Sequence, residues 1–557
     1  MHDLIFNKMN KNLGILSFAQ GDYKAGIDLI EKYLQYLQGL IESNTDNKEY
    51  TEEKNKTLKE FKLTLLEVAQ KLFADDNWLE CLKCCQYLIK HNISNSDVYK
   101  FAAVCFKNLK DYSAAINLFK VYEKKAPDDK SVLYLLAETL YEYKPEQYAE
   151  DAIKLYKKYL EVYPKDHSAY NKIGAIYACT LDLFSTSADR QLFYFRKAAK
   201  YKPDDYQYLR NVHLSLLSIG DFRLAKAVYD RIYELHGKNF THDQYYDYAA
   251  FQINIGNFKK GWDLLDHRFM KESHRTAYPD MPVPLWNGKN NISKNTLLVH
   301  HEQGFGDVVM YIRFVEHIKH LAKKVIVFVP DELLFLFQES KFDFEVVGRS
   351  VGLENIDFDY HIPMISLPRI YNISTTNIPN TTGYLNVHPR RVEDFKNRYV
   401  TSEKFKVGVC FEGDSLGKRH LRDVDWGYLS ELSKNENIQL YCLKREYNEA
   451  FFKNINQDIN IICLGKYFQS FADTAAAIKS MDLVVSTDNV ILNLAGALGV
   501  KTLGLFNLYR EFRWHGIEKG KVLWYDSVTP IVTPRKNDWE PVIEEVKARI
   551  DKLSNTQ

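Results

Sequence analysis

The sequence predicts a helical solenoid in the first half of the chain, followed by two α/β domains with parallel sheets. A turn that ends in an aromatic residue recurs at a nearly constant spacing in the first half, which indicates a helical repeat. Short apolar segments alternate with helical windows in the second half, which indicates doubly wound parallel sheets. The length of 557 residues exceeds what one hydrophobic core organises, so several domains are expected.

Composition narrows the class of protein. A hydrophobic content of 46% and a charged content of 26% are ordinary for a soluble globular chain, and they exclude disordered, collagen-like and membrane classes. The 74 Lys and Arg residues nearly balance the 73 Asp and Glu residues, so no nucleic-acid partner is expected. No run reaches the ~18 apolar residues of a membrane helix, so no transmembrane segment is expected.

The N-terminus and the cysteines together predict a cytoplasmic protein. The first residues lack the basic and then apolar pattern of a signal peptide, and eight cysteines are too few for a disulfide framework in so long a chain. Cys81, Cys84 and Cys85 form a CxxCC cluster, but no second pair of ligands accompanies it. We therefore expect these three side chains to be buried between helices and not to bind a metal.

The repeat is marked by a three-residue turn that ends in an aromatic residue. The step is 34 residues from Trp78 to Tyr112 and 36 residues from Phe222 to Phe258. A small residue follows three positions after each aromatic, and small side chains let two helices approach while the aromatic fills the gap. The turns and their small residues are Gly21–Tyr23 with Gly26, Asp76–Trp78 with Cys81, Lys110–Tyr112 with Ala115, Gly220–Phe222 with Ala225, and Gly256–Phe258 with Gly261.

This pattern resembles the tetratricopeptide repeat. Leu13–Gly14 and Gly21–Tyr23 stand in its register, with Gly26 in place of the usual Ala, and seven units are predicted within residues 1–270. A solenoid of this type presents a concave surface without chemistry of its own, so a protein or peptide partner is expected there. The alternative is a purely structural stack that supports the second half.

The second half is predicted to contain two domains. A linker with three prolines covers residues 271–293, and a break near residues 388–404 separates an α/β domain over residues 294–395 from another over residues 396–557. Two nucleotide-binding folds that face each other across a cleft are the simplest architecture. The predicted strands are Thr296–His300, Val325–Val329, Phe344–Val347, Tyr360–Pro363, Lys406–Phe411, Gln439–Leu443, Ile459–Leu464, Leu483–Ser486 and Thr502–Phe506.

One loop of candidate site residues leads from the first predicted strand into a helix. Gly304 and Gly306 permit a tight turn with the backbone close to a ligand, and Asp307 stands at the start of the helix. Dinucleotide-binding folds and ordinary strand–helix turns share such a GxGD loop, so a capping role for Asp307 remains an alternative. The other candidates of this loop, for contact with an acceptor, are His301, Glu302 and Gln303.

A second candidate loop joins the strand near residue 485 to a helix with small residues. Hydroxyl and amide groups at a helix N-terminus suit a diphosphate, because unpaired N–H groups and the helix dipole attract anions. Asp488 is the candidate to accept hydrogen bonds from ribose or sugar hydroxyls. An ordinary capped helix is the alternative explanation. The residues of this loop are Ser486, Thr487, Asp488 and Asn489.

A basic loop in the last domain suits an anionic leaving group. It holds three cations in five residues, Lys418, Arg419 and Arg422. Asp423 and Asp425 form a DxD pattern, which is associated with metal–diphosphate binding. Because Trp426 is predicted to begin a helix directly afterwards, these carboxylates are interpreted as helix caps, and no metal ligand is predicted.

Taken together, the second half resembles the glycosyltransferase family 9 (heptosyltransferase-like) module that follows tetratricopeptide repeats in many bacterial proteins. The overall plan is also similar to that of the protein O-linked N-acetylglucosamine transferases. The resemblance implies two facing Rossmann-like domains, a GT-B-like fold. The matching segments, in order, are Gly261–Asp263, Trp286–Gly288, Glu302–Asp307, Phe471–Ala475, Asp488 with Leu494–Gly499, Arg513–Trp514 and Trp524–Tyr525.

The resemblance also implies an activity and the roles of residues. It implies metal-independent, inverting transfer of a sugar from a nucleotide-diphosphate donor to a protein hydroxyl, without a cofactor, and flagellin or another surface protein fits as acceptor by analogy. Asp307 is then the general base, and Lys418 and Arg422 compensate the charge of the leaving diphosphate. The donor is held by Ser486, Thr487, Asp488, Asn489 and Asn493.

Two positions depart from the family pattern and keep other functions open. Asn489 and Asn493 stand where the family usually has Thr and His, and an amide cannot carry a charge linked to a proton. The first alternative is therefore a non-catalytic tetratricopeptide scaffold with a degenerate glycosyltransferase fold. A lipopolysaccharide heptosyltransferase-like enzyme is the third possibility, but it leaves seven repeats without a task.

Overall fold

The computed structural model describes residues 2–43, 48–92, 95–180, 187–271, 281–413, 422–508 and 511–555. The chain forms two compact units. The first contains Met1–Leu183 and Asp189–Tyr208, and the second contains Phe184–Ala188 and Leu209–Gln557. The boundary near residue 208 lies inside the helical region, so the last helices of the predicted solenoid belong to the same unit as both sheets.

Helices account for the regular structure up to residue 270 in the part of the chain that the structure describes. Neighbouring helices pack in pairs, which confirms the predicted helical repeats. The helices α1 to α14 are His2–Ala19, Tyr23–Ser43, Lys48–Ala74, Trp78–Lys90, Asp97–Asn108, Tyr112–Lys125, Ser131–Tyr143, Pro145–Val162, His167–Cys179, Ser187–Tyr201, Tyr206–Ser218, Phe222–His236, His242–Asn254 and Phe258–Leu265.

The predicted turns separate the two helices of a pair. Each repeat aromatic is the first residue of the second helix, as Tyr112 is of α6 and Phe222 is of α12. Where Asp precedes the aromatic it caps that helix, as the Asp221 carboxylate does by accepting a hydrogen bond from the Leu224 N–H at 2.9 Å. Asn77 and Asn257 make no such side-chain bond. The turn itself needs a left-handed residue, and Gly220 supplies it with φ of +80°.

The small residue of each repeat lies where the two helices of a pair touch. A Cβ on Gly261 would lie 2.5 Å from Cγ1 of Ile253, so a larger residue does not fit there. Cys81, Cys84 and Cys85 are fully buried free thiols in α4, as predicted.

Two parallel sheets follow the helices, in agreement with the predicted α/β second half. Strands β1 to β4 form a four-stranded sheet in the order β3-β2-β1-β4, and β5 to β10 form a six-stranded sheet in the order β10-β9-β8-β5-β6-β7. The strands are Ile292–His300, Ala322–Val329, Glu345–Gly348, Tyr360–Pro363, Phe405–Cys410, Ile438–Cys442, Ile461–Cys463, Leu483–Thr487, Thr502–Phe506 and Val528–Val532.

Shorter helices connect the strands and flank the sheets. The helices α15 to α24 are Phe305–Tyr311, Val315–Ile318, Asp331–Glu339, Leu367–Tyr371, Pro389–Tyr399, Leu429–Leu432, Glu449–Ile455, Phe471–Lys479, Val490–Ala497 and Glu540–Ser554. All nine predicted strands are present, and the structure adds β10 at the edge of the larger sheet.

The two sheets of the second unit share one apolar core. Leu297 of the smaller sheet and Val484 of the larger sheet belong to the same buried cluster, together with Trp262 of the helical region. A fully buried cation, Arg313, strengthens this junction, because its Nη1 donates to the carbonyl of Trp524 at 2.7 Å. The sheets therefore hold the loops at their edges in a fixed relation.

Candidate functional site

A cavity of about 890 Å³ in the second unit is the candidate functional site. Its walls are loops that follow the carboxyl ends of strands in both sheets, which is where open parallel sheets bind ligands. Asp307 reaches it after β1, Glu412 after β5, Lys444 after β6 and Asp488 after β8, and Arg513 reaches it after β9. Both predicted loops of candidate residues therefore meet in one cavity.

The loop after β1 brings its glycines to the cavity for close approach and not for a left-handed turn. Gln303 takes the left-handed conformation, with φ of +59°, whereas Gly304 has φ of −83° and precedes α15. A Cβ on Gly306 would lie 3.1 Å from Nδ2 of Asn493 and 3.6 Å from Cα of Val490. The left-handed residue of this turn is therefore Gln303, and Gly306 lets the loop approach the helix Val490–Ala497 of the other sheet.

Asp307 points into the cavity and forms an ion pair there. Oδ1 of Asp307 lies 2.9 Å from Nη2 of Arg513, and both side chains are about nine-tenths buried. Asp307 is the third residue of its helix, and its Oδ1 is buried without an aligned hydrogen bond to any residue that the structure describes. Burial raises the pKa of Asp307, and the Arg513 charge opposes that effect. A carboxylate with a raised pKa is a stronger proton acceptor than a free aspartate.

A second pair of opposite charges lies in the same cavity. Nη1 of Arg422 lies 3.5 Å from Oδ2 of Asp488, whose side chain is almost fully buried. Burial raises the pKa of Asp488, while the charges of Arg422 and Arg513 lower it. Arg422 remains one-third exposed, so its guanidinium is accessible to a ligand in the cavity. Lys418, the other predicted cation, lies outside the described residues.

The hydroxyls of the second loop are not at the cavity. Ser486 and Thr487 are fully buried at the end of β8, and the Ser486 hydroxyl bonds to the carbonyl of Thr487 and to Oδ1 of Asn489. Strand β8 continues through Thr487 and the loop begins only at Asp488, so the contact of these two hydroxyls with a donor stays a prediction.

The two asparagines are committed to internal hydrogen bonds. Oδ1 of Asn489 caps the helix Val490–Ala497 by accepting from the N–H groups of Ile491 and Leu492, at 2.8 and 3.2 Å. Nδ2 of Asn493 donates to the carbonyl of Asn489 at 3.0 Å, and Oδ1 of Asn493 accepts from the Tyr525 hydroxyl at 2.9 Å. Both residues line the cavity, but their amides stabilise its wall.

Glu302 anchors the loop after β1. Its carboxylate is held by hydrogen bonds within the protein and is not free to contact an acceptor substrate. Its carboxylate accepts two hydrogen bonds from the fully buried Arg268, at 2.6 and 2.9 Å, and one from the N–H of Ile365. His301 does line the cavity, and its Nδ1 is buried without a hydrogen bond to any residue in the described ranges. Burial and the nearby Arg349 charge lower the pKa of His301, so the imidazole is neutral at pH 7.

Several cavity residues were not predicted as site residues. Arg513 was part of a segment that matches the family but had no predicted role. No sequence motif indicated Glu511 or Lys444. Tyr246 and Lys271 come from the helical region and line the same cavity, with the Lys271 ammonium 4.2 Å from the Tyr246 ring centre. No local pattern signals these residues, since chain folding alone brings them together.

The described residues contain no group of three or more His, Cys, Asp or Glu side chains arranged to hold a metal ion. Asp425 caps the short 3₁₀ helix Trp426–Tyr428 by accepting a hydrogen bond from the Gly427 N–H at 2.7 Å, as interpreted from the sequence.

None of the helices in the described ranges is long and apolar enough to cross a membrane.

Comparisons with known proteins give distant similarities. The chain is 23% identical over 467 residues to Protein FlbA of Caulobacter vibrioides, and the alignment covers 78% of this chain and 74% of that protein. The aligned segment is longer than either half of this chain, so the alignment includes parts of the helical region and of the α/β region. No protein-family model matches the chain.

Solved structures resemble a shorter part of the chain. A MamA structure from Desulfovibrio magneticus RS-1 has a TM-score of 0.29 and 18% identity, over 32% of this chain and 96% of its own. TTC0263, a thermophilic TPR protein of Thermus thermophilus, has a TM-score of 0.26 and 18% identity, over 34% of this chain and 99% of its own.

Proposed function

We propose that the protein is a glycosyltransferase that moves a sugar from a nucleotide-diphosphate donor to a hydroxyl of a protein acceptor. One observation carries the proposal: a buried carboxylate of the smaller sheet, Asp307, and the cations Arg422 and Arg513 of the larger sheet open into a single cavity. A base on one wall and cations on the other match the two charges that develop during such a transfer.

The proposed reaction is a single displacement. The acceptor hydroxyl gives its proton to the Asp307 carboxylate while its oxygen forms a bond to the anomeric carbon of the sugar. The bond between that carbon and the β-phosphate oxygen breaks, and its electron pair leaves with the nucleoside diphosphate. Attack from the opposite face inverts the anomeric carbon.

Arg422 and Arg513 are assigned to the leaving diphosphate in this proposal. Guanidinium groups match the planar oxygen pairs of phosphates, and a buried cation stabilises developing negative charge more strongly than an exposed one. Lys444 lies in the same wall, and its ammonium donates to the carbonyl of Gly413 at 2.6 Å, which fixes the loop after β5. The cations of this wall compensate the donor charge.

The helical repeats support a protein acceptor. Solenoids of paired helices commonly bind peptide segments along their surface, and this chain has such helices through residue 265. Tyr246 and Lys271 extend the helical region into the cavity wall, so an acceptor segment on the last helices of the second unit lies beside the proposed base.

The proposal is tested by nucleotide binding and turnover. Calorimetry with UDP, GDP, ADP and dTDP should give micromolar binding of at least one of them, weakened by about 10- to 100-fold in Arg422→Ala. The matched control is Arg549→Ala, whose guanidinium pairs with Glu545 on the exposed face of α24. Mass spectrometry should then detect release of the same diphosphate from its sugar conjugate.

A non-catalytic scaffold is the second candidate. The internal hydrogen bonds of Asn489 and Asn493 favour it, because these amides support the cavity wall and are not free for a donor. A scaffold predicts capture of a protein partner by the repeats and no affinity for any of the four diphosphates. Absence of binding in the calorimetric panel would therefore contradict the enzyme and favour the scaffold.

A further inference from the structure

Arg513 is a buried cation whose hydrogen-bonding capacity is only partly used. Its Nη2 lies 2.9 Å from Oδ1 of Asp307, and its Nη1 lies 4.0 Å from Oε2 of Glu511. Its Nε is buried without a hydrogen-bond partner among the described residues, and Oδ1 of Asp307 accepts no aligned hydrogen bond from them either. The contact between Arg513 and Asp307 is thus ionic but poorly directed.

A poorly directed buried ion pair is easily exchanged for a better one. A guanidinium gains most from two parallel hydrogen bonds to one anion, which a phosphate offers and the present contact with Asp307 does not. Arg513 also faces the cavity, so a ligand reaches it without unfolding the wall. Leaving Nε unpaired in a buried site costs free energy, which a bound anion would recover.

We propose that Arg513 exchanges partners during the reaction: it neutralises Asp307 in the empty site and moves to the diphosphate when the donor binds. The exchange leaves the Asp307 carboxylate without its counter-charge and makes it a stronger base. The base is therefore activated only when the donor is present. This inference rests on the proposed function, since it requires a diphosphate ligand in this cavity.

The charges around Asp307 define what the exchange does. The cation in contact with it is Arg513, and the loss of that contact leaves mainly negative neighbours. The negative neighbours favour the protonated carboxyl, so the pKa of Asp307 rises when Arg513 leaves. At a pH near that pKa a fraction of the molecules takes up a proton, while the rest keep the carboxylate that acts as the base. The ionisable groups that face this carboxylate are Arg513, Glu511, Asp488, Glu302 and the Tyr311 hydroxyl, and Arg268 stands behind Glu302.

Proton-linked calorimetry tests the exchange. Binding of the tightest diphosphate from the panel of UDP, GDP, ADP and dTDP is measured between pH 5 and 8 in buffers of different ionisation enthalpy. Wild type should take up more protons than Asp307→Asn, because only wild type has the carboxylate. The difference in proton uptake between Arg513→Met and the double variant Arg513→Met/Asp307→Asn should be smaller. In these two variants no guanidinium moves away from residue 307 when the diphosphate binds.

The affinities give a second readout. Arg513→Met should bind the diphosphate about 10- to 100-fold more weakly, and Arg513→Lys should recover part of that loss. Arg549→Met is the control for removing an arginine from the surface. Near-ultraviolet circular dichroism establishes that each variant is folded.

The outcomes separate this inference from the proposed function. Diphosphate binding with equal proton uptake in wild type and Asp307→Asn would overturn the exchange and leave the proposed function standing. Wild-type affinity of Arg513→Met for the diphosphate would also overturn the exchange and leave the proposed function standing. Absence of binding of all four diphosphates to wild type would overturn both.

Discussion

Arg268 and Glu302 form a buried ion pair that joins the helical region to the cavity loop. Two parallel hydrogen bonds of 2.6 and 2.9 Å connect the guanidinium to the carboxylate, and both side chains are almost completely buried. Arg268 lies just after the last helix of the repeats, whereas Glu302 begins the loop that carries Asp307. The pair therefore fixes the loop of the proposed base to the end of the repeats.

Breaking this pair should destabilise the second unit. Arg268→Met leaves a buried carboxylate without its cation, so the free energy of unfolding should fall by about 3–5 kcal/mol. Arg268→Met/Glu302→Gln removes both charges and should recover a substantial part of that loss. Urea unfolding measures both variants, and a loss in the double variant equal to or greater than that in Arg268→Met would contradict the account.

Gly496 should not tolerate a methyl group. A Cβ at this position would lie 2.4 Å from Cγ of the fully buried Tyr525, whose hydroxyl bonds to Asn493 in the cavity wall. Overpacking of this kind costs about 1–3 kcal/mol, so Gly496→Ala should lower the thermal midpoint of the second unit. Gly39→Ala is the control, because open space surrounds Gly39 within α2. An unchanged midpoint in Gly496→Ala would contradict this packing.

Stability of the second unit should fall as the pH is lowered. Burial lowers the pKa of His213 to about 4, against about 6.5 in an unfolded chain. Between pH 4 and 6.5 the imidazole is therefore protonated in the unfolded chain and neutral in the folded chain. The free energy of unfolding is highest above pH ~6.5 and declines toward pH 4. At pH 5 the shifted pKa of His213 makes the free energy of unfolding about 2 kcal/mol lower than it is above pH ~6.5.

Variants of two histidines isolate that effect. His213→Gln should flatten the dependence of unfolding free energy on pH between 4 and 6.5, whatever its effect at pH 7. His320→Gln, at an exposed position, should leave the slope unchanged. Equal slopes in wild type and His213→Gln would show that His213 does not remain neutral in the folded protein.

The strands were predictable because buried parallel strands are continuous apolar runs. Tyr360–Pro363 and Thr502–Phe506 agree with the predicted bounds to the residue. Val528–Val532 was missed because Pro530 interrupts the apolar run, and a proline is tolerated there since β10 is an edge strand. The repeat turns were predictable as well, because each has a left-handed residue followed two positions later by an aromatic.

The site was predictable in part only. The sequence pattern indicated Asp307, Asp488 and Arg422, and the structure brings all three to one cavity. It did not indicate the pairing of Asp307 with Arg513, because 206 residues separate them and each reaches the cavity from a different sheet. The role of Asn489 was ambiguous in sequence, since a helix cap and a donor contact need the same polar residue at the same place.

The pH dependence of turnover should report the buried base. Because burial raises the pKa of Asp307, kcat/KM should fall as the pH falls through a value above the ~3.9 of a free aspartate. The form that accepts a proton is the carboxylate, so activity is lost on the acidic side. An acidic limb at or below the ordinary aspartate value would contradict a buried Asp307 as base.

The most direct test of the account is turnover by Asp307→Asn. With the nucleotide sugar whose diphosphate binds most tightly, the rate of diphosphate release should fall by about 10²- to 10⁴-fold while the diphosphate still binds. Asp343→Asn is the matched control, at a carboxylate that is 93% exposed and pairs with Lys319, and it should keep the wild-type rate. A rate in Asp307→Asn equal to that of wild type would contradict the assignment of Asp307 as the base.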